Sequence, residues 1–244
     1  MVILALFVSM IPSALFFVFL VRSDPGRPEF GRRCRKALLY GVASTVPIIL
    51  AALVLNILGN LAGMKNWPLV WRGLYKDYVL AAGVEEACKF MFLRILLKKA
   101  DHDYTWYDVV AYMTLIGLGF GALEAVVYAF ESGPVHVLVR GILIMHGGFG
   151  FIKGWFFGKS LLTGKKRFAV LATLIPFVIH GTYDFFLTPE LLEINDNFAF
   201  IPVLLALASI VFMVIMLVFF FRKNKKEKYL APVRPVMDNT GGLG

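Results

Sequence analysis

The stretch YVLAAGVEEACKFMFLRILL, residues 78–97, sets two carboxylates and an ammonium group inside an apolar run of membrane-crossing length. A bilayer's hydrocarbon core asks for about 20 residues of helix. An ionisable side chain at that depth costs about 3 kcal/mol or more, so Glu85, Glu86 and Lys89 need both partners and a purpose. Glu85 and Lys89 stand four apart and Glu86 and Lys89 three apart, so one helix face brings the ammonium group to either carboxylate.

Outward from this segment the chain repeats the same apolar length. Seven segments are expected: Val2–Val21, Ala37–Met64, Tyr78–Leu97, Tyr107–Phe130, Val135–Gly158, Phe168–Leu187 and Phe198–Phe221. Of the 244 residues, 59% are hydrophobic and 17% charged, against about 25% charged in a soluble domain. The expectation is an all-α polytopic membrane bundle of about seven helices, one domain over residues 1–228, and a disordered cytoplasmic tail over 229–244. The apolar run at the N-terminus is longer than the h-region of a signal peptide and reads as the first transmembrane helix.

Basic residues fix the orientation. They cluster after segments one (Arg22 to Lys36), three (Lys98, Lys99), five (Lys159 to Arg167) and seven (Arg222 to Lys228), whereas 131–134 and 188–197 hold none. The positive-inside rule then places the N-terminus outside and the C-terminus inside. The net charge of +9 resides in these loops and the tail, which leaves no folded basic domain for nucleic acid. Cys34 is expected in a basic loop and Cys88 within the membrane, too far apart to pair. Lys65–Asp77, with Trp67, Trp71 and Tyr75, reads as an interfacial helix.

Four segments carry polar groups at a shared depth. Counted from the outer surface at 1.5 Å per residue, Glu85 and Glu86 lie ~12 Å in, Glu124 ~10 Å, His146 ~16 Å and His180 ~12 Å. Asp184 follows His180 by one turn and can orient the imidazole, and Tyr128 stands likewise to Glu124. Gly117, Gly119 and Gly121, with Gly150, Gly154 and Gly158, allow segments four and five to pack closely around the layer. Carboxylates and imidazoles together can activate water for attack on an amide. The same groups suit zinc, with His146, His180 and Glu85 as ligands and one position open for water. Arg94, Arg140 and Lys153 are read as snorkelling or paired, without a chemical role. Other readings stay open: structural ion pairs within a non-catalytic scaffold that binds transmembrane helices, or a proton or metal transporter. HExxH, GxGD and a rhomboid-like Gly-x-Ser-Gly are all missing.

Four elements in order resemble the PrsW family of intramembrane proteases, relatives of the CAAX-protease and bacteriocin-processing group. They are Glu85-Glu86 with Lys89, Gly119 to Glu124 with Tyr128, His146 with Gly147 and Phe149, and His180 to Phe185, together covering residues 83–186. The resemblance implies hydrolysis of membrane-anchored protein substrates, among them anti-sigma factors in stress signalling, in a bacterial plasma membrane. It implies Glu85, Glu86, His146 and His180 as catalytic residues, with Lys89, Glu124, Tyr128 and Asp184 in support.

Overall fold

The computed structural model of the protein describes residues 2–24, 27–98, 104–131, 145–187, 200–222 and 232–233. The apolar runs form helices α1 (Val2–Arg22), α2 (Pro28–Leu61), α5 (Trp106–Glu131), α6 (Met145–Thr163), α7 (Lys166–Leu187) and α8 (Phe200–Phe221). Between α2 and α5 the chain forms a single 3-10 turn (Met64–Asn66), then α3 (Leu69–Leu74), a π-helical stretch (Tyr75–Gly83) and α4 (Val84–Lys98). Among the described residues, α1, α2, α7 and Trp106–Val127 of α5 are long and apolar enough to cross a membrane. The chain is therefore an all-α integral membrane protein. In α4, Glu85, Glu86, Lys89 and Arg94 interrupt the apolar run.

Helix α2 starts at Pro28, where the sequence reading began it at Ala37. Proline at the first helical position has its φ already set, and Glu29 complements the positive end of the helix. Arg32, Arg33, Arg35 and Lys36 consequently belong to the helix, and Cys34 is buried in the core rather than exposed in a loop. Both Cys34 and Cys88 are free thiols. Residues Lys65–Asp77 do include a helix, α3, and Trp67 packs edge-on against Tyr75. Within the segment read as a disordered tail, Pro232–Val233 pair antiparallel with Tyr104–Thr105. The expected span at 135–144 lies outside the described residues.

Helix α5 is the hub, with 72% of its apolar window buried, and it packs on α6, α2, α1 and α4. Glycine permits this. A Cβ on Gly150 would strike the Met113 carbonyl, and one on Gly154 would come within 2.8 Å of the Val110 Cα. One on Gly158 would strike the Trp106 ring. These three glycines therefore form one stripe along α5, as their spacing suggested. At the other end of the contact, Gly117 lies under the His146 carbonyl. The apolar core gathers around Tyr104–Leu118, so the polar residues near Glu124 occupy the opposite half of α5. The core end is tied by Arg27, whose guanidinium grips Asp108 at 2.9 Å through both nitrogens and also pairs with Asp24. Burial pulls the Arg27 pKa down, but the hydrogen bonds and charges of Asp108 and Asp24 outweigh it and raise it above the ordinary arginine value.

Gly117→Val and Gly150→Val are each expected to destabilise the fold by about 1–3 kcal/mol through overpacking, read as a lower unfolding temperature in detergent.

Candidate functional site

The polar layer is assembled from α4, α5, α6 and α7, and its most constrained member is Glu86. Its side chain is 2% exposed and faces two ammonium groups. Lys89 Nζ lies 2.6 Å from Oε1, and Lys153 Nζ lies 2.8 Å from Oε2. Lys153 also donates to the backbone carbonyl of Glu86 at 2.7 Å. His180 Nδ1 stands 3.3 Å from Oε1. Glu85 sits more loosely: its Oε2 is 3.3 Å from Lys89 Nζ, 3.7 Å from His180 Nε2 and 3.9 Å from His146 Nδ1.

Donor chemistry fixes the state of His146. Lys89 only donates, and its Nζ is 3.3 Å from Nδ1, so Nδ1 carries the lone pair. The proton then resides on Nε2, which donates to Glu124 at 2.6 Å. His180 has carboxylates at both nitrogens, Glu86 at Nδ1 and Asp184 at Nε2, the latter 3.1 Å away. Whichever nitrogen of His180 accepts a ligand, the other keeps a carboxylate to orient the ring, the usual arrangement around a metal-binding histidine. The ring is stacked on Phe149 at 4.7 Å between centroids. Phe120 lies edge-on to His146 and also faces the Lys89 ammonium at 4.5 Å.

The π-helical stretch serves this layer. It precedes Glu85 directly and presents Tyr78, whose hydroxyl meets Thr182 Oγ1 at 2.7 Å. The Tyr78 ring fills the space where a Cβ on Gly181 would stand, so α7 rests on it beside His180. Such wide turns are rare and concentrate at functional sites.

Glu85, His146 and His180 each offer a ligand atom, and these atoms lie within 4.8 Å of one another. Two nitrogens and a carboxylate oxygen form a donor set used by catalytic zinc. Beside the layer, a cavity of about 20 Å³ is lined by Glu124, Met145, His146, Phe149, His180, Tyr183 and Asp184. That volume holds one water molecule.

Of the residues singled out in the sequence, Glu85, Glu86, Lys89, Glu124, His146, His180 and Asp184 come together here; the Tyr128 side chain lies outside the described residues. Lys153 joins them although it was read as carrying no chemistry. The signal was present, since Lys153 follows His146 by two helical turns and so shares its face.

A family model described as PrsW family intramembrane metalloprotease matches residues 34–221. Protease PrsW of Bacillus subtilis is 30% identical over 119 residues, 47% of this chain and 55% of that protein. Protease PrsW of Geobacillus kaustophilus is 30% identical over 156 residues, covering 62% and 65%. Protease PrsW of Clostridioides difficile is 28% identical over 201 residues, covering 77% and 81%. The chain thus spans less than two thirds of the first two relatives. No solved structure matches it.

Glu86→Ala leaves Lys89 with Glu85 and Lys153 with the backbone carbonyl of residue 86, each without its shorter carboxylate contact, and is expected to destabilise the protein by about 3 kcal/mol, more than Glu85→Ala, in detergent unfolding measurements.

Proposed function

The chain belongs to the PrsW family, and from that membership we propose that it is an intramembrane endopeptidase acting on membrane-anchored proteins. The observation that carries the reading is the buried convergence of Glu85, His146 and His180 beside Glu86 and a water-sized cavity. An ion pair that merely fastens helices has no need of two imidazoles, each backed by its own carboxylate.

Glu85 is the general base in this reading. It takes a proton from water as the oxygen adds to the peptide carbonyl carbon. It returns that proton to the amide nitrogen as the C–N bond breaks, leaving a carboxyl and an amine terminus. The imidazoles of His146 and His180 stabilise the oxyanion, held in place by Glu124 and Asp184. Glu85, His146 and His180 would also hold zinc; when bound, the ion would polarise the carbonyl and make water more acidic, with Glu85 then a ligand rather than the base. Lys89 faces both glutamates, 3.3 Å from Glu85 and 2.6 Å from Glu86, and aims them. Burial of the whole layer strengthens each of these interactions, because nothing of high dielectric screens them.

The same reading carries the topology. Residues 1–228 form one domain of seven spans, with the N-terminus outside, the C-terminus inside and 229–244 a cytoplasmic tail. The host membrane is a bacterial plasma membrane. Substrates are single-span regulators of the anti-sigma type, cleaved in envelope stress signalling.

Glu85→Gln and His146→Ala are each expected to lower cleavage of a membrane-anchored reporter by about 100-fold or more at unchanged expression. Unaltered cleavage in either variant would contradict the assignment. Zinc content measured by mass spectrometry on protein purified without chelators separates the two roles of Glu85: close to one equivalent, lost in the His146→Ala/His180→Ala double variant, makes it a ligand, and none leaves it the base.

A further inference from the structure

Lys153 is a fully buried ammonium group that the chemistry above does not use. It projects from α6 and is 1% exposed. Its Nζ reaches the backbone carbonyl of Glu86 at 2.7 Å and the Oε2 of the same residue at 2.8 Å. Two contacts to one residue close a ring through the Glu86 side chain, so the carboxylate has little freedom left to rotate. Lys89 holds the opposite oxygen at 2.6 Å. Glu86 is thereby gripped by an ammonium group on each oxygen, whereas Glu85 has the single ammonium group of Lys89, at 3.3 Å, beside the more distant imidazoles of His180 and His146.

This difference separates two glutamates that are neighbours in sequence. A carboxylate with an ammonium group against each oxygen is held in one orientation. It is well placed to fix whatever touches it, here Lys89 and the imidazole of His180. A buried ion pair adds little net stability over an apolar pair of similar volume. Its retention at this spot therefore points to positioning rather than to holding α4 against α6.

We propose that Lys153 is a positioning residue for the hydrolytic reaction assigned above. It holds the Glu86 carboxylate in the one orientation that aligns Lys89 and His180, and it leaves Glu85 as the more loosely held carboxylate of the pair. The inference rests on the protease reading and adds to it a division of labour between the two glutamates.

The test uses the full-length protein in liposomes with a single-span membrane-anchored reporter, whose mole fraction in the bilayer is varied to separate kcat from KM. Lys153→Met and Lys153→Gln are expected to lower kcat tenfold or more with KM within twofold. Lys153→Arg, which keeps a cation there, is expected to recover at least a third of the wild-type kcat. Unfolding in detergent is measured alongside, and the Gln variant is expected to lose activity at an unfolding temperature close to wild type. Wild-type kcat in the Met or Gln variant would overturn the proposal. So would a loss of kcat that simply follows unfolding temperature across the three variants, or failure of all three to fold, since a purely structural role predicts both. A wild-type protein that does not cleave the reporter would instead strike the protease reading itself, and this inference with it.

Discussion

Everything in the polar half of this bundle depends on the burial of Glu86. A carboxylate with 2% exposure cannot stand alone in a medium of low dielectric. It requires cations, and they come from two helices, Lys89 on its own and Lys153 on α6. Lys153 thus reaches Glu86 from α6, and His180 reaches it from α7. The glycine stripe of α6 then allows α5 to close over the group, placing Glu124 within 2.6 Å of His146. The wide-turned helix before Glu85 completes the enclosure by setting Tyr78 under α7.

The consequence for chemistry is a set of groups that hold one another in fixed protonation and orientation. Lys89 determines which nitrogen of His146 carries a proton, and Glu124 accepts that proton's hydrogen bond. Asp184 and Glu86 flank His180. Preorganisation of this kind is what a hydrolytic site needs, because nothing must reorient as charge develops on the substrate. Membership of the PrsW family accords with that design.

Much of this was legible in the sequence, for identifiable reasons. Charges within apolar runs announce themselves, so Glu85, Glu86, Lys89, Glu124, His146, His180 and Asp184 were found from depth and helical spacing. The Gly150, Gly154 and Gly158 stripe fell where its spacing put it. Lys153 escaped because a lysine in a membrane helix can also reach the interface by its own length, and only tertiary contact decides between the two. The start of α2 was misplaced for a related reason. Hydropathy falls at Arg32 to Lys36, yet Pro28 in the first turn and tertiary burial of Arg33 and Cys34 keep the backbone helical there. The pairing of Pro232–Val233 with Tyr104–Thr105 joins residues remote in sequence and leaves no local signature.

The central claim is that this buried layer hydrolyses peptide bonds. The most direct measurement is to incubate the purified protein with a membrane-anchored substrate in liposomes prepared in ¹⁸O-water, and to analyse the products by mass spectrometry. The account predicts a new C-terminal carboxyl group carrying one ¹⁸O atom, formed at a bond within or bordering the substrate's membrane span and missing with the Glu85→Gln variant. Intact substrate, or the same labelled product from that variant, would contradict it.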